Sequence, residues 1–343
     1  MALLPTLLTP FAWLYGIGIS IRNLMYDLGL MPVFRSSIPV ISVGNITTGG
    51  TGKTPFVQYL VRRYMDKGIR PCVISRGYKR LTRGMQVVSD GVSISGNALT
   101  AGDEPYQIAK NFPGAMVVVA EKRAVAADFV IKHHKPQLLI LDDGFQHRSM
   151  GRDIDVVMVD GTRELTGIPL LPAGRRREHL SSLRRADVLI RSHIEKSEGP
   201  VPDAHTVEMR YKVKRFRSLA MDKSYSVDQM RGKRCVVFSG IGNPENLLST
   251  LRDIEIEILA FHEYPDHYIY REKDLNTIRQ SLETTKGDFV VTTEKDAVRL
   301  ESIRVPPAFP LQLSLCLIIE AVIVQGEDAL SQILHEKIDQ FIR

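Results

Sequence analysis

An α/β chain in two units is what this sequence predicts, and three observations predict it. A strand, a glycine-rich loop and a helix follow one another over residues 39–64. Short apolar runs then alternate with helix-like segments as far as Arg191. A smaller set of the same alternation follows a polar stretch with two prolines, 195–204. The expected fold is a P-loop NTPase-like N-terminal domain with a mostly parallel sheet, plus a smaller C-terminal α/β domain joined to it by a β-ribbon linker.

Residues 1–38 form an N-terminal apolar segment. Positions 2–21 carry no charge, a length that would permit a spanning helix. Pro5, Pro10, Gly16 and Gly18 argue against a simple one. No positive residue precedes the run and no small-residue cleavage site follows, so a secretory signal is not expected. Arg22 and Arg35 come next, as suits a segment lying among lipid headgroups with basic residues at its edge. Packing on the chain's own core suits it equally.

The N-terminal domain is assigned to 39–205. Val40–Val43 reads as a buried strand, and Phe56, Val57, Leu60, Val61 and Tyr64 recur at helical spacing. Between them Thr47, Thr48, Gly49, Gly50, Thr51, Gly52, Lys53 and Thr54 form a phosphate-binding loop. The usual first glycine of the motif is Thr47 here. Backbone N–H groups and the helix N-terminus attract phosphate oxygens. Lys53 is expected on the outer phosphates and the Thr54 hydroxyl on magnesium. Strand-like runs follow at 72–75, 85–89, 116–120, 138–141, 155–159 and 188–191, with helices expected at 105–112 and 121–134. Segments 206–220 and 309–319 read as linker strands, 221–308 as the smaller domain, and 320–343 as a region ending in an amphipathic helix. A cleft between the two domains is the expected place for a ligand.

Composition bounds the partners. Lys plus Arg number 45 and Asp plus Glu 39, a net charge of +6. That excess fits a polyanionic ligand or an anionic membrane surface, but is too small to argue for nucleic acid. The three cysteines, Cys72, Cys235 and Cys316, each lie in an apolar run and read as reduced core residues.

Four sites could carry chemistry. Leu138–Leu141 is an apolar strand ending in Asp142 and Asp143, where a P-loop protein keeps the acidic residue of its magnesium shell. Asp103, in Gly102-Asp103-Glu104-Pro105, suits a base for a hydroxyl nucleophile, although spacing alone favours a cap on the following helix. Phe261–His267 is dense in titratable groups, with no second ligand cluster to make it a metal site. Arg175–Arg177, Arg184, Arg185 and Arg123 offer guanidinium forks for phosphate.

As a set these residues resemble a known family. Val43–Pro55, Ser75-Arg76-Gly77-Tyr78, Gly102–Pro105, Leu141-Asp-Asp-Gly-Phe-Gln-His147, Leu170–Gly174, Phe238–Gly242, Pro265-Asp-His267 and Thr293-Glu-Lys-Asp-Ala297 are similar to the motifs of the tetraacyldisaccharide 4′-kinases, the lipid A 4′-kinases of Gram-negative bacteria. The likeness runs from about residue 10 to residue 300. It implies an ATP- and magnesium-dependent kinase for the 4′-hydroxyl of the lipid A disaccharide precursor. It implies peripheral or monotopic association with the cytoplasmic face of the inner membrane through the N-terminal segment, and no protein partner. Carried over residue by residue, it puts Lys53 and Thr54 on the ATP phosphates and magnesium, and Asp142 and Asp143 near the metal. It makes Asp103 the catalytic base with His267 as partner. Arg123, Arg177 and Glu178 join the catalytic group, and Asn45, Arg76, Tyr78, Glu104, Gln146 and His147 the substrate site. One departure is Gly174-Arg-Arg-Arg177-Glu178-His179, which keeps the Arg-Glu pair of the family but not its flanking prolines.

The rival reading is a membrane-associated P-loop ATPase that switches a partner. Many such proteins carry a lysine ahead of Gly-Gly-x-Gly-Lys-Thr, where this chain has Thr48. A GTP switch fits less well, because Lys295 and Asp296 are adjacent instead of separated by one residue. A non-enzymatic adaptor leaves the loop and the paired aspartates unexplained.

Overall fold

The computed structural model describes residues 3–162, 164–192 and 206–342; the 195–204 linker lies outside them. In chain order the strands are β1 (Val40–Asn45), β2 (Pro71–Ser75), β3 (Gln86–Asp90), β4 (Met116–Val119), β5 (Leu138–Asp142), β6 (Ile154–Asp160), β7 (Val188–Ser192), β8 (Thr206–Ser218), β9 (Ser224–Tyr225), β10 (Arg234–Ser239), β11 (Glu257–Glu263), β12 (Phe289–Thr293) and β13 (Ser314–Gln325). The helices are α1 (Leu3–Asp27), α2 (Lys53–Asp66), α3 (Ala98–Ala101), α4 (Asp103–Asn111), α5 (Arg123–His133), α6 (Val227–Met230), α7 (Pro244–Asp253), α8 (Glu272–Thr285), α9 (Glu294–Leu300) and α10 (Glu327–Lys337).

One sheet runs through the chain in the order β11-β10-β12-β13-β8-β7-β6-β1-β5-β2-β4-β3, with β9 paired to β8. Its pairings are parallel except β3–β4, β8–β9 and β8–β13. The long β8–β13 pair runs from Ser218–Leu315 to Glu208–Gln325. It hydrogen-bonds to β7 on one side and β12 on the other, so the two α/β patterns share a single sheet. Residues 309–313 are not part of that ribbon; Leu311–Leu313 form a 3₁₀ turn. The strand instead continues through Gln325, beyond the expected limit of 319. Ala321 and Ile323 face Tyr211 and Met209 across it, and the chain turns only at Gly326, at φ +80°. The final helix begins at Glu327, as its amphipathic spacing predicts.

Both faces of the sheet are covered. On one, α2 buries Phe56, Val57, Leu60, Val61 and Tyr64 against Ile41, Val43 and Ile140. Met209 and Ile323 of the ribbon and Leu330 and Leu334 of α10 join that same core. On the other face α5 packs Ala126 and Val130 on Val40, Ile74 and Leu139. Farther along, α7 and α8 sit over β10–β13 with separate cores. Each fully buried Leu, Val or Phe contributes about 1.5–3 kcal/mol. The three cysteines are free and buried.

The prolines and glycines near the start do not break the helix. α1 runs unbroken with Pro10 inside it. Gly16 explains part of this: a Cβ there would lie 2.9 Å from Leu170 Cδ1, so the missing side chain is what lets the helix seat on the body. Among the described residues no helix is long and apolar enough to cross a membrane.

Parallel neighbours β1 and β5 set the site. Val43 is in register with Asp142, so the loop after β1 and the carboxylates after β5 open at the same sheet edge, where open α/β sheets bind ligands. Two glycines make the geometry possible. Gly52 sits at φ +79°, and a Cβ there would fall 1.5 Å from the Tyr211 hydroxyl of the ribbon. Gly44 has ordinary backbone angles, but a Cβ there would lie 2.5 Å from Phe145 Cβ and 2.7 Å from its backbone nitrogen. Gly44→Ala is expected to force β1 from β5 and cost about 2–3 kcal/mol in urea denaturation. A midpoint equal to wild type would show that the strand ends give way freely.

Candidate active site

The sheet edge opens into a cleft of about 1340 Å³. Pockets for single small ligands run to about 1,000 Å³, so this one has room for a nucleotide and part of a second molecule. Thr48–Pro55, Ser75, Arg76, Tyr78, Glu104, Arg123, Asp142, Asp143, Gln146, His147, Arg177, His267 and Lys295 are among its walls.

The loop is built from inside. Asn45 at the end of β1 is fully buried; its side-chain amide donates to Thr51 Oγ1 at 2.8 Å and its backbone carbonyl accepts from Gln146 Nε2 at 2.8 Å. Asn45 thus braces the loop from within. Thr47 pairs with Arg176 instead of facing the cleft, and Thr48 N–H donates to Arg175 O at 2.7 Å. Lys53 opens α2 and lies 3.4 Å from Asp143 Oδ1.

The paired aspartates have opposite surroundings. Asp143, in the left-handed region at φ +52°, takes both oxygens to Arg177 Nη1, at 2.9 and 2.8 Å. Burial alone would raise its pKa, but Lys53 and Arg177 outweigh that and hold it down at about 2. Asp142 accepts from Ser75 Oγ at 2.9 Å on one oxygen, and its other oxygen, Oδ1, is buried without a partner. Burial, then the charges of Glu104 and Asp143, push its pKa up to about 6. Arg123 is buried and aims Nη2 at the Asp142 and Asp143 carbonyls, 3.4 and 3.3 Å away, not at their carboxylates. Burial and then Arg123 push His147 down to about 4, so its ring is neutral at pH 7.

The orphaned Asp142 Oδ1 and the Thr54 hydroxyl, both on the lining of this cleft, are hard oxygen donors and fit a magnesium ion that takes its remaining ligands from phosphate and water. No cluster of three or more His, Cys, Asp or Glu able to hold a metal occurs among the described residues.

Asp103 does not cap α4. Gly102, at φ +92°, stands at the N-cap and no side chain caps the helix, which leaves the Asp103 carboxylate free to turn outward. Its Oδ2 lies 2.7 Å from His267 Nδ1 and accepts Arg299 Nε at 2.8 Å. Burial opposes ionisation, but the His267 and Arg299 hydrogen bonds prevail and lower the pKa. An ionised carboxylate only accepts, so the shared proton belongs to His267 Nδ1. His267 lines the cleft; Asp103 stands behind it. Tyr78 meets the imidazole edge-on at 5.3 Å. Glu104 ion-pairs with Lys295, and both line the cleft.

Glu178 is fully buried and touches Arg22, Asn23 and Arg185, none of the reacting groups. Arg299, absent from the expected site, grips Asp103 and Asp296 at once. It lies just past the Thr293–Ala297 motif, but only the packing of α9 on α4 reveals its partner. Arg177 reaches Asp143 without the prolines that usually flank it.

Phosphoryl transfer from a nucleotide is the chemistry these groups serve together, and with the fold it marks a P-loop kinase. The family model for tetraacyldisaccharide-1-P 4′-kinase matches residues 4–339. A curated tetraacyldisaccharide 4′-kinase from Chlorobaculum parvum is 40% identical, with 86% of this chain and 84% of the relative aligned. One from Chlorobium limicola is 34% identical over 98% of both chains. The crystal structure of the "apo" form of LpxK from Aquifex aeolicus in complex with ATP superposes with a TM-score of 0.82 at 30% identity, covering 98% of this chain and 99% of that one. The chain belongs to the tetraacyldisaccharide 4′-kinase family. Its activity is ATP-dependent phosphorylation of the 4′-hydroxyl of the lipid A disaccharide precursor. The match extends past residue 300, where the sequence motifs gave out, because α10 belongs to the same core as α2.

Asp142 yields a pH-dependent test. Its folded pKa lies above the unfolded value of about 3.9, so the folded state holds the extra proton between pH 4 and 6. Stability from this group is complete below that window and is lost as pH rises through it. In metal-free buffer Asp142→Asn should therefore be more stable than wild type at pH 7.5, by about 3 kcal/mol, with the gap shrinking towards pH 5. Urea titrations at both pH values measure it; a less stable variant at pH 7.5 would contradict the raised pKa.

Proposed function

We propose that ATP lies with its phosphates along Thr48–Thr54 and that the 4′-hydroxyl of the lipid precursor attacks from the His267 side of the same cleft. The observation that carries this reading is the opening of the Lys53–Asp143 pair and the Asp103–His267 pair into one cavity. The crystallised relative binds ATP, as its description states, and a superposition over nearly the whole chain supports the same use of the loop here.

Asp103 and His267 together act as the general base. Asp103 fixes the Nδ1–H tautomer and stabilises the imidazolium that forms. The hydroxyl proton passes to the dyad as the oxygen meets the terminal phosphorus. Lys53, Arg123 and Arg177 receive the charge that moves onto the phosphate oxygens. Thr54 and Asp142 would hold magnesium, which when bound neutralises phosphate charge. Asp143 stays with Lys53 and Arg177 and keeps both cations aimed inward. Arg76, Tyr78, Gln146 and His147 line the cleft and are read as contacts to the sugar lipid.

Segments 39–205 and 221–308 are read as two units either side of the ribbon, with the base assembled from both: α4 carries Asp103, and the loop before α8 carries His267. α1 is read as the membrane contact on the cytoplasmic face of the inner membrane. Leu7, Phe11, Trp13, Leu14, Ile17 and Ile21 keep more than half their surface in solvent, an apolar face suited to the acyl boundary of an anionic bilayer.

Incubation with labelled ATP, magnesium and the disaccharide lipid in detergent tests the reaction. Asp103→Asn should reduce transfer about 10²–10⁴-fold with little change in KM for ATP. His267→Ala should cost a similar factor, and the double variant no more than the worse single one. Independent, multiplying losses would show that the two do not act as one base. For α1, Trp13→Glu combined with Ile17→Glu is expected to abolish flotation with anionic vesicles. Unchanged flotation would assign that face to another partner.

A further inference from the structure

Glu178 is a wholly buried carboxylate whose hydrogen bonds go to none of the groups proposed above for phosphoryl transfer. Its oxygens accept Arg22 Nη2 at 3.2 Å, Asn23 Nδ2 at 3.0 Å and Arg185 Nη2 at 2.7 Å. Two of those donors belong to α1. The residues beside it make the same connection. The Arg177 carbonyl accepts the Tyr15 hydroxyl at 2.9 Å, and His179 Nε2 lies 3.3 Å from the Gly16 carbonyl. From the opposite side, Arg177 N–H donates to Ile46 O at 2.7 Å, and the Arg177 guanidinium grips both oxygens of Asp143. Three consecutive residues are thus fixed to α1 on one side, while the middle of the phosphate end hangs from the first of them on the other.

A buried carboxylate with three donors is costly to break and specific in direction, because each donor left unpaired inside the protein carries a desolvation penalty. Sliding or lifting α1 would strip Glu178 of Arg22 and Asn23 and release the Arg177 backbone from Tyr15. Arg177 would then lose the fixed geometry that makes a two-oxygen contact effective.

We infer that Glu178 is a positioning residue, through which the seating of α1 sets where Arg177 meets Asp143. α1 then governs the rate of phosphoryl transfer itself, apart from any part in capturing lipid. The inference rests on the reading of Arg177 as a phosphate-end cation.

The test uses the full-length protein, ATP, magnesium and the disaccharide lipid in detergent micelles, where lipid capture does not depend on a bilayer. Glu178→Gln is expected to lower kcat about tenfold or more, and Asn23→Ala about threefold, each with the lipid KM within about twofold of wild type. Asn23 does not line the cleft, so its variant reads the connection without touching substrate; it also stays informative if Glu178→Gln fails to fold. In an Arg177→Ala background, Asn23→Ala and Glu178→Gln should cost less than about twofold more. A loss of folded protein would multiply with the Arg177 defect instead, and so separates positioning from simple destabilisation. Full multiplication of the losses, or a raised lipid KM with unchanged kcat, overturns the inference. Wild-type turnover by Arg177→Ala alone would instead overturn the reading of Arg177 on which it rests.

Discussion

Three carboxylates, those of Glu104, Asp142 and Asp143, line the cleft with a fourth, Asp103, behind His267, and most of what surrounds them answers the cost of taking that charge out of water. Lys53 and Arg177 answer for Asp143, Lys295 for Glu104, and Arg299 with His267 for Asp103. Asp142 alone is left with a neutral hydroxyl and an empty lone-pair side. The result is a graded set of acids on one surface, from about 2 at Asp143 to about 6 at Asp142. Adjacent residues on one strand end, both buried, are driven apart by what surrounds them, the pattern by which a site divides its roles. The uncompensated member is the one best suited to a divalent cation.

The compensating cations come from distant parts of the chain. Lys53 starts the first crossover helix, Arg177 sits in the loop beside the phosphate turn, and Lys295 and Arg299 project from α9 near the end of the second half. A continuous sheet makes this possible, since β8 and β13 hold both halves in one hydrogen-bonded frame. The seam between α4 and α9 carries a polar set beside the shared core: in addition to the ion pairs, Gln107 and Asn111 donate to Glu294. Such a seam specifies alignment more than it adds stability.

How much of this could be read from the residues depended on range. The phosphate turn was legible because its signal is local: an apolar strand, glycines and Lys-Thr at the head of a helix. The acidic end of β5 was legible once that turn was placed. Misreadings arose where a local rule met a distant partner. Asp103 has the spacing of a helix cap, yet Gly102 takes that position and His267 and Arg299 take the carboxylate. Pro10 and Gly16 look like helix breakers until Leu170 and His179 are seen packed against the gap at Gly16. The limits of the ribbon were displaced because Ala321 and Ile323 read equally as helix face or strand alternation, and only pairing with Tyr211 and Met209 decides. No sequence pattern pointed to Arg299.

The approach of Tyr211 to Gly52 has a consequence for inheritance. The ribbon tyrosine occupies the space a side chain at 52 would need, so turn and ribbon fit as tooth and socket although they are encoded far apart. Halves of this chain and of a divergent relative cannot be exchanged freely at a junction between them. A hybrid gene keeps a working turn only when the incoming ribbon leaves that hollow filled to the same depth.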